Sequence, residues 1–440
     1  MTSETPAIVP ADGVPPAIVV RYLYSACVKT ITPDVSVLHD PWFTEGVYDG
    51  SWFQYPRIED PIGATGDCDL IYVSHVHPDH YDPLFLSQYF DFYGEKEIIV
   101  ADHTPNHLAG KMKVDGLKCT VLRDVRKLGN TSVHILPHKT GSISDIDSSI
   151  IIKFFDGRRQ HCVVNTNDII FDGAMIDAVK KASGDVDVLL CGYTGAGPYP
   201  QTYFDAGDPR LAEEAKRKKI EFFERYRALT QAIGAKINIP FAGQYILGGK
   251  LVSLNGNRGV ADAVEVLELD RNAVVLADNG GSIDTLTCRP TAVRTEKYAS
   301  AAIASREEEI KGRLMDYERL IAASETDQLP LKRLLAAAAR KARERSECET
   351  DYYFVFSLPN GEFAIVNANK SAPNVLQFAG KDAVLPEPRS EIETDPRYLF
   401  GLLTHVYHWN NAEVGSQYNT RRTPNVLNRS AQSFLNYLTV

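Results

Sequence analysis

The sequence has few cysteines and lacks the paired spacing that marks a disulfide framework or a structural zinc site. Its 440 residues contain seven cysteines, which are scattered and never form a C-x-x-C arrangement. An odd and scattered set of this kind is typical of reduced thiols. We therefore expect a cytoplasmic protein whose cysteines are buried and unpaired.

The sequence also lacks long apolar runs and clustered basic charge. No uninterrupted apolar stretch approaches the roughly 20 residues that a membrane-spanning helix needs, and no basic segment followed by an apolar run opens the chain. The formal net charge is -10, which argues against a broad surface for nucleic acid. We expect neither a membrane nor a nucleic acid as a partner, and the composition leaves the oligomeric state open.

Short apolar segments alternate with helical segments through the first two thirds of the chain. The β-branched residues 17–24 predict a strand, which we pair with residues 35–38 through the Thr32-Pro33-Asp34 turn. Residues 69–74 predict a buried strand that is followed by a helix over 83–93. This alternation is typical of a mixed sheet with helices on its outside.

Three histidines and two aspartates lie within eight positions directly after the strand predicted at 69–74. The segment reads His75-Val76-His77-Pro78-Asp79-His80-Tyr81-Asp82. Because His75 and His77 are two residues apart at a strand end, both rings can point to the same side. Imidazole and carboxylate are ligands that suit Zn, Fe or Mn. The cluster therefore predicts a site for one or two divalent metal ions, either Zn or Fe, with Mn as a further option.

The H-x-H-x-D-H pattern resembles the metallo-β-lactamase superfamily, in particular the branch with ascorbate-phosphate lactonases and N-acylphosphatidylethanolamine phospholipases. The resemblance implies an α/β fold, the αββα sandwich, with a distant His and a distant Asp completing the metal site. His138 and Asp168 each follow a predicted strand and resemble those two ligands. The resemblance thus implies as metal ligands His75, His77, Asp79, His80, His138 and Asp168. It also implies catalytic roles for Asp79, which would orient or deprotonate a water, and for Asp82, which would support a ligand histidine.

Further landmarks resemble the catalytic region of the CMP-N-acetylneuraminate hydroxylase family over residues 17–285. They are His39-Asp40-Pro41-Trp42, residues 72–80, Asn165-Thr166-Asn167-Asp168 and residues 239–243. That family carries a Rieske iron–sulfur domain, whose ligands are two cysteines and two histidines. This sequence has no C-x-H pair, so we expect no such cluster in it. Residues 240–244 also lack the final histidine of the lactonase-like proteins, which leaves the second metal with fewer ligands.

The character of the sequence changes after residue 285. We predict a flexible N-terminal arm over 1–16, a metallo-β-lactamase-like metal-binding catalytic domain over 17–290 and a C-terminal α+β domain over 291–440. Within the last region, Asn360-Gly361 predicts a hairpin turn. We interpret His405, His408 and Trp409 as packing residues, with substrate binding as the alternative.

The residues leave several functions open. The first is a metal-dependent hydrolase that acts through a metal-activated water on a small polar substrate. By resemblance, that substrate is a sugar or a nucleotide-sugar. The alternative is an iron-dependent oxygenase whose electrons come from a separate ferredoxin or reductase. A vestigial binding protein is the third reading, against which the complete H-x-H-x-D-H set argues.

Overall fold

The structure, a computed structural model, describes residues 16–142 and 145–440, with the side chain of Glu325 excepted. The N-terminal arm predicted over residues 1–16 lies, apart from its last residue, outside the described residues. The strands are β1 (Val19–Tyr24), β2 (Cys27–Ile31), β3 (Ser36–His39), β4 (Trp52–Phe53), β5 (Leu70–Tyr72), β6 (Glu97–Ala101), β7 (Cys119–Leu122), β8 (Arg126–Leu128), β9 (Thr131–Pro137), β10 (Ser148–Phe155), β11 (Gln160–Asn165), β12 (Val188–Gly192), β13 (Ile237–Phe241), β14 (Ile246–Leu247), β15 (Ser282–Asp284), β16 (Tyr353–Ser357), β17 (Phe363–Asn367), β18 (Leu376–Ala379), β19 (Arg389–Glu393) and β20 (Asn419–Thr423).

The helices connect these strands and cover the sheets. They are α1 (Val47–Gly50), α2 (Pro61–Thr65), α3 (Pro83–Tyr93), α4 (His107–Val114), α5 (Gly173–Ser183), α6 (Pro209–Ile233), α7 (Ser300–Ile310), α8 (Asp316–Leu320), α9 (Leu331–Arg343), α10 (Pro396–Leu403), α11 (Trp409–Val414) and α12 (Arg429–Leu435). Among the residues that the structure describes, no helix is long and apolar enough to cross a membrane.

Two sheets pack face to face and carry helices on their outer surfaces. The first has the order β15-β1-β2-β3-β5-β6-β7 and the second β13-β12-β11-β10-β9-β8. Alternate residues of a strand point to opposite faces, so Leu70 and Tyr72 lie in the core between the sheets while Ile71 packs outward. Helix α3 packs outside the first sheet and α6 outside the second. The predicted metallo-β-lactamase-type αββα sandwich is confirmed.

The sequence prediction missed strand β2 of the first sheet. Strand β2 lies between β1 and β3, so the predicted pairing of residues 17–24 with 35–38 is wrong. The reason is that β2 buries polar residues. The Lys29 ammonium donates to the carbonyl oxygens of Thr65 and Asp67, and the Thr30 hydroxyl lies 2.9 Å from Nε2 of His39. The Thr32-Pro33-Asp34 turn joins β2 to β3 instead.

The C-terminal region packs onto the first sheet and shares its outer core. Its own sheet has the order β18-β17-β16-β19-β20, in which β16 and β17 form the hairpin predicted around Asn360-Gly361. One continuous cluster of buried side chains includes Trp42 from the N-terminal part and Leu335 and Tyr398 from the C-terminal part. The domain boundary near residue 290 stays a prediction, because this packing joins the two regions.

The shared core makes a prediction about stability. Leu335 on α9 is completely buried in this cluster, so Leu335→Ala leaves a cavity and lowers the free energy of unfolding by about 2–5 kcal/mol. Chemical denaturation measures the change. The control is Leu320→Ala at an exposed position of α8, which we expect to change stability little. Equal effects of the two variants would contradict the shared core.

Candidate metal centre

The histidine cluster lies where β5 ends and α3 begins. After β5 the chain makes a turn in which the backbone N–H groups of His80 and Tyr81 both donate to the carbonyl oxygen of His77. Helix α3 begins next, with the Asp82 carboxylate accepting a bond of 2.9 Å from the N–H of Phe85. The turn places the four residues of the motif on one side of the strand end.

The rings of His75 and His77 point their nitrogens at each other. Nε2 of His75 lies 2.8 Å from Nδ1 of His77, and the rings stand nearly perpendicular at 79°. Burial, followed by the charges of His80 and His77, lowers the pKa of His75 well below its ordinary value. A neutral imidazole is the form that binds a metal ion. These two nitrogens are therefore placed where they could hold one metal ion, as one half of the candidate site.

The second half is formed by His80 with two aspartates. Nε2 of His80 lies 3.5 Å from an Asp79 carboxylate oxygen and 3.4 Å from an Asp168 carboxylate oxygen. Two ligands of a tetrahedral ion at 2.0–2.1 Å stand about 3.4 Å apart, which matches this spacing. His75, His80 and Asp168 each offer an atom within 4.8 Å of the others. The two halves thus adjoin and fit one or two cations.

The charges around His80 favour a bound cation. Burial alone would lower the pKa of His80, but the carboxylates of Asp168, Asp79 and Asp40 outweigh it and raise the pKa well above its ordinary value. An ion in this position would neutralise the same carboxylates. The residues present therefore fit a divalent metal in both their donor atoms and their charge.

Asp40 orients His80 from behind, a role that the sequence prediction did not assign. One Asp40 oxygen lies 3.1 Å from Nδ1 of His80, and the other accepts a bond of 2.7 Å from the N–H of Ser74. A carboxylate on the far nitrogen fixes the ring and leaves Nε2 for the metal. Asp40 belongs to the landmark His39-Asp40-Pro41-Trp42, which was the available signal. Its neighbour His39 is a core residue, and burial lowers its pKa to about 3.

Asp82 makes contacts different from those expected. Its carboxylate accepts from the N–H groups of Phe43 and Thr44 and from the Thr44 hydroxyl, besides starting α3. These bonds fix the loop that contains Phe43 and Thr44 and the first turn of α3. The carboxylate that contacts a candidate ligand histidine, His80, is that of Asp40. The catalytic role of Asp82 stays a prediction.

Asp79 is held by a tyrosine in an unusual backbone conformation. The Tyr48 hydroxyl donates to Oδ1 of Asp79, which leaves Oδ2 facing His80. Tyr48 and Asp49 both have positive φ angles, of 57° and 63°. Gln417 stabilises this segment by donating to the carbonyl oxygen of Tyr48 at 2.8 Å. The sequence carries no motif that would have identified Tyr48.

The C-terminal region reaches the metal centre through Asn410. Oδ1 of Asn410 lies 2.6 Å from Nε2 of His77. With Nε2 donating to the amide oxygen, Nδ1 of His77 is free to bind a metal. Trp409 beside it is buried and donates to the carbonyl oxygen of Leu438, as expected of a packing residue. No local pattern could have linked Asn410 to His77, because 333 residues separate them.

Asp168 follows β11 in a short turn. Asn167 has a φ of 46°, and its amide donates to the Tyr72 hydroxyl and the Ser148 carbonyl oxygen. These bonds fix Asn167 against the neighbouring strands and place the next side chain at the sheet edge. Asp168 therefore lies at His80, where the sequence predicted a ligand.

His138 and Asp147 lie side by side at the same edge. The N–H of His138 donates to the carbonyl oxygen of Asp147 at 2.9 Å. Nε2 of His138 is buried without a hydrogen-bond partner among the described residues, 3.7 Å from an Asp172 oxygen. It lies outside the group formed by His75, His80 and Asp168. His138 as a ligand stays a prediction, and its orphaned nitrogen is available for one.

Asp147 is a further acidic residue beside the centre, and the sequence analysis did not identify it. Its Oδ1 lies 3.9 Å from Nδ1 of His75. Burial raises the pKa of Asp147, while the nearby His77 charge lowers it and the Asp168 charge raises it. The carboxylate thus lies near the centre, on the side of His75 opposite the nitrogen that faces His77.

The comparisons with known proteins support the resemblance inferred from the motif. No family model matches the chain. The chain is 29% identical over 238 residues to a putative Rieske 2Fe-2S iron-sulfur protein of Mycolicibacterium smegmatis, covering 51% of this chain and 43% of that protein. It is 22% identical over 241 residues to the cytidine monophosphate-N-acetylneuraminic acid hydroxylase of Asterias rubens, covering 52% and 34%. The chain thus spans less than half the length of these relatives.

Solved structures with a similar arrangement include hydrolases and a hydroxylase. One is a possible metal-dependent hydrolase from Veillonella parvula, with a TM-score of 0.42, 13% identity and coverage of 61% of this chain and 99% of that one. Another is CmlA, a diiron β-hydroxylase from Streptomyces venezuelae, with a TM-score of 0.40, 17% identity and coverage of 62% and 55%.

The geometry of the second half-site makes a prediction about metal binding. Asp168→Ala removes a carboxylate that faces His80, so we expect a lower metal content after purification. The control is Asp278→Ala, since Asp278 instead accepts a bond from Tyr298. Inductively coupled plasma mass spectrometry measures the metal per chain. Equal losses in both variants would argue against Asp168 as a ligand.

The half-buried Asp49 carboxylate leads to a prediction about the pH dependence of stability. Burial raises the pKa of Asp49 to about 7, against about 3.9 in an unfolded chain. The folded state therefore loses stability as the pH rises from about 4 to 7, by up to about 4 kcal/mol. Asp49→Asn removes this loss and keeps an acceptor for the Tyr398 hydroxyl. We therefore expect the variant to have a higher free energy of unfolding than the wild type at pH 8 and the same free energy of unfolding near pH 4.

Denaturation across this pH range tests the Asp49 prediction. The control is Asp91→Asn on the exposed side of α3, which should leave the pH profile unchanged. If the free energies of unfolding of Asp49→Asn and of the wild type changed with pH in parallel, the Asp49 prediction would be refuted.

Proposed function

We propose that this chain is a metal-dependent enzyme whose centre holds one or two divalent cations. The observation that carries the proposal is the convergence of two sets of donor atoms. Nε2 of His75 meets Nδ1 of His77 at 2.8 Å, and Nε2 of His80 faces the Asp168 carboxylate at 3.4 Å. Tyr48 and Asn410 hold the surrounding ligands in place. This convergence argues against a vestigial binding protein.

Hydrolysis is the first candidate reaction. A bound Zn or similar ion supplies an acidified water and polarises a carbonyl or phosphoryl group. Asp79, whose Oδ1 is occupied by Tyr48, would use Oδ2 to orient the water or accept its proton. The substrate that we propose is small and polar, a sugar or a nucleotide-sugar by analogy with the hydroxylase relatives.

Oxidation by an iron-dependent oxygenase is the second candidate, and two observations favour it. The curated relatives reported above are an iron–sulfur protein and a hydroxylase. The centre is also rich in carboxylates, with Asp79, Asp147 and Asp168 around it, and such oxygen donors suit iron or manganese as well as zinc. A separate ferredoxin or reductase would then be the partner that supplies electrons.

Metal analysis coupled to activity decides between the reactions. The protein is expressed without added metal, and its Zn, Fe and Mn contents are measured. Zinc, with cleavage of p-nitrophenyl esters or bis(p-nitrophenyl) phosphate in the absence of reductant, supports hydrolysis. Iron, with dioxygen uptake that depends on ferredoxin and its reductase, supports oxidation.

His77→Ala tests the centre itself. This change removes a nitrogen that faces His75, so we expect loss of most bound metal and of all turnover. The matched control is His405→Ala, because His405 is an exposed histidine and should keep both. If His77→Ala retains stoichiometric metal, the proposed site is wrong.

A further inference from the structure

Arg258 is a buried cation without an anionic partner among the residues that the structure describes. Only 7% of the residue is exposed, and its Nη2 donates to the carbonyl oxygen of Tyr245 at 2.9 Å. Its Nε and Nη1 are shielded from solvent and have no hydrogen-bond partner among the residues that the structure describes. A buried charge of this kind costs several kcal/mol unless an opposite charge meets it. The guanidinium is therefore suited to an anion that none of the described residues provides.

A second buried cation lies beside Arg258. Lys218 on α6 is also 7% exposed, and its ammonium donates to the carbonyl oxygens of Arg258 at 3.0 Å and of Tyr199 at 2.9 Å. Burial and the Arg258 charge lower the pKa of Lys218 to about 7. The ion pairs found between described residues include neither side chain. Lys218 is thus held by carbonyl oxygens, and no carboxylate of the described residues balances the charge of Arg258.

Stacked aromatic rings connect Arg258 to the metal centre. The guanidinium lies over the Tyr245 ring at 4.3 Å, and Tyr245 stacks on Trp52 at 3.4 Å. The Trp52 ring lies 4.5 Å from that of Tyr48, which donates to Asp79. Strands β4 and β14 fix the stack, because Trp52 pairs with Leu247. Nε1 of Trp52 is a second buried donor that lacks a partner among the described residues.

The sheet topology places Arg258 and the metal centre at the same edge. Strands β11, β12 and β13 are parallel neighbours, so their carboxyl ends lie together. Asp168 follows β11, the loop that Lys218 binds follows β12, and Tyr245 follows β13. Arg258 therefore contacts a residue that follows the same edge of the sheet as the metal centre.

We propose that Arg258 binds an oxyanion group of the substrate, a phosphate or a carboxylate, while the reacting bond lies at the metal centre. The guanidinium fork suits such a group because it can donate two parallel hydrogen bonds. The Tyr245 ring packs against one face of the guanidinium. The inference rests on the proposed function, and it narrows the substrate to polar molecules that carry an oxyanion.

Anion binding to metal-loaded protein tests the proposal. Inorganic phosphate and acetate are titrated separately into the wild type and into Arg258→Gln, and calorimetry gives their affinities. We expect the variant to keep its metal and to bind the preferred anion about tenfold more weakly. Tighter binding of phosphate identifies a phosphate group, and tighter binding of acetate a carboxylate. Unchanged affinity in Arg258→Gln, or no binding of either anion by the wild type, overturns the proposal.

Control variants separate this proposal from the metal centre. Arg421→Gln removes an exposed arginine that pairs with Asp205, and it should leave anion affinity unchanged. We expect His77→Ala to lose its metal. Because Arg258 is unchanged in this variant, it should still bind the anion through Arg258. Retention of metal in His77→Ala would refute the proposed function and not the anion site. If Arg258→Gln does not fold, Arg258→Lys decides, because it keeps the charge and loses the fork; unchanged affinity in that variant overturns the proposal.

Discussion

The repulsion among carboxylates gathered around His80 is the interaction on which the rest of the site depends. Asp79 and Asp168 face Nε2 of His80, while Asp40 holds its Nδ1. One imidazolium cannot neutralise them all, and Asp147 adds a further, half-buried carboxylate. A divalent ion would relieve this repulsion and would use the same atoms as ligands. The αββα sandwich provides the rigid edge that keeps these charges together in spite of their repulsion.

The C-terminal region takes part in the site as well as in the core. Asn410 contacts His77, and Gln417 stabilises the backbone at Tyr48, which in turn holds Asp79. Both contacts come from a region that shares its packed core with the first sheet. A loss of packing there would therefore misplace ligands from both halves of the metal centre. This coupling explains how a metal motif of six residues can depend on side chains more than 300 positions away.

Local chemistry explains what could be predicted from the sequence. The bounds predicted for α3 agree with the structure, because Asp82 caps its first turn and Gly94 follows its last residue. The turn that carries His75 and His80 could also be predicted from local sequence, because it directly follows a strand. Strand β2 was missed since Lys29 finds carbonyl oxygens only in the folded chain. Tyr48, Asp147 and Asn410 were missed for the same reason: tertiary packing alone brings them to the ligands, and no spacing in the sequence records it.

A crystal structure of the metal-loaded protein, with anomalous diffraction measured at the Zn and Fe absorption edges, tests the central claim most directly. The account predicts an anomalous peak bonded to Nε2 of His75 and Nδ1 of His77, or to Nε2 of His80 and the Asp168 carboxylate, or at both places. It also predicts that Asp40 still contacts Nδ1 of His80 and that Asn410 still contacts Nε2 of His77. Rings turned into solvent, with no anomalous peak among them at either edge, would contradict the account.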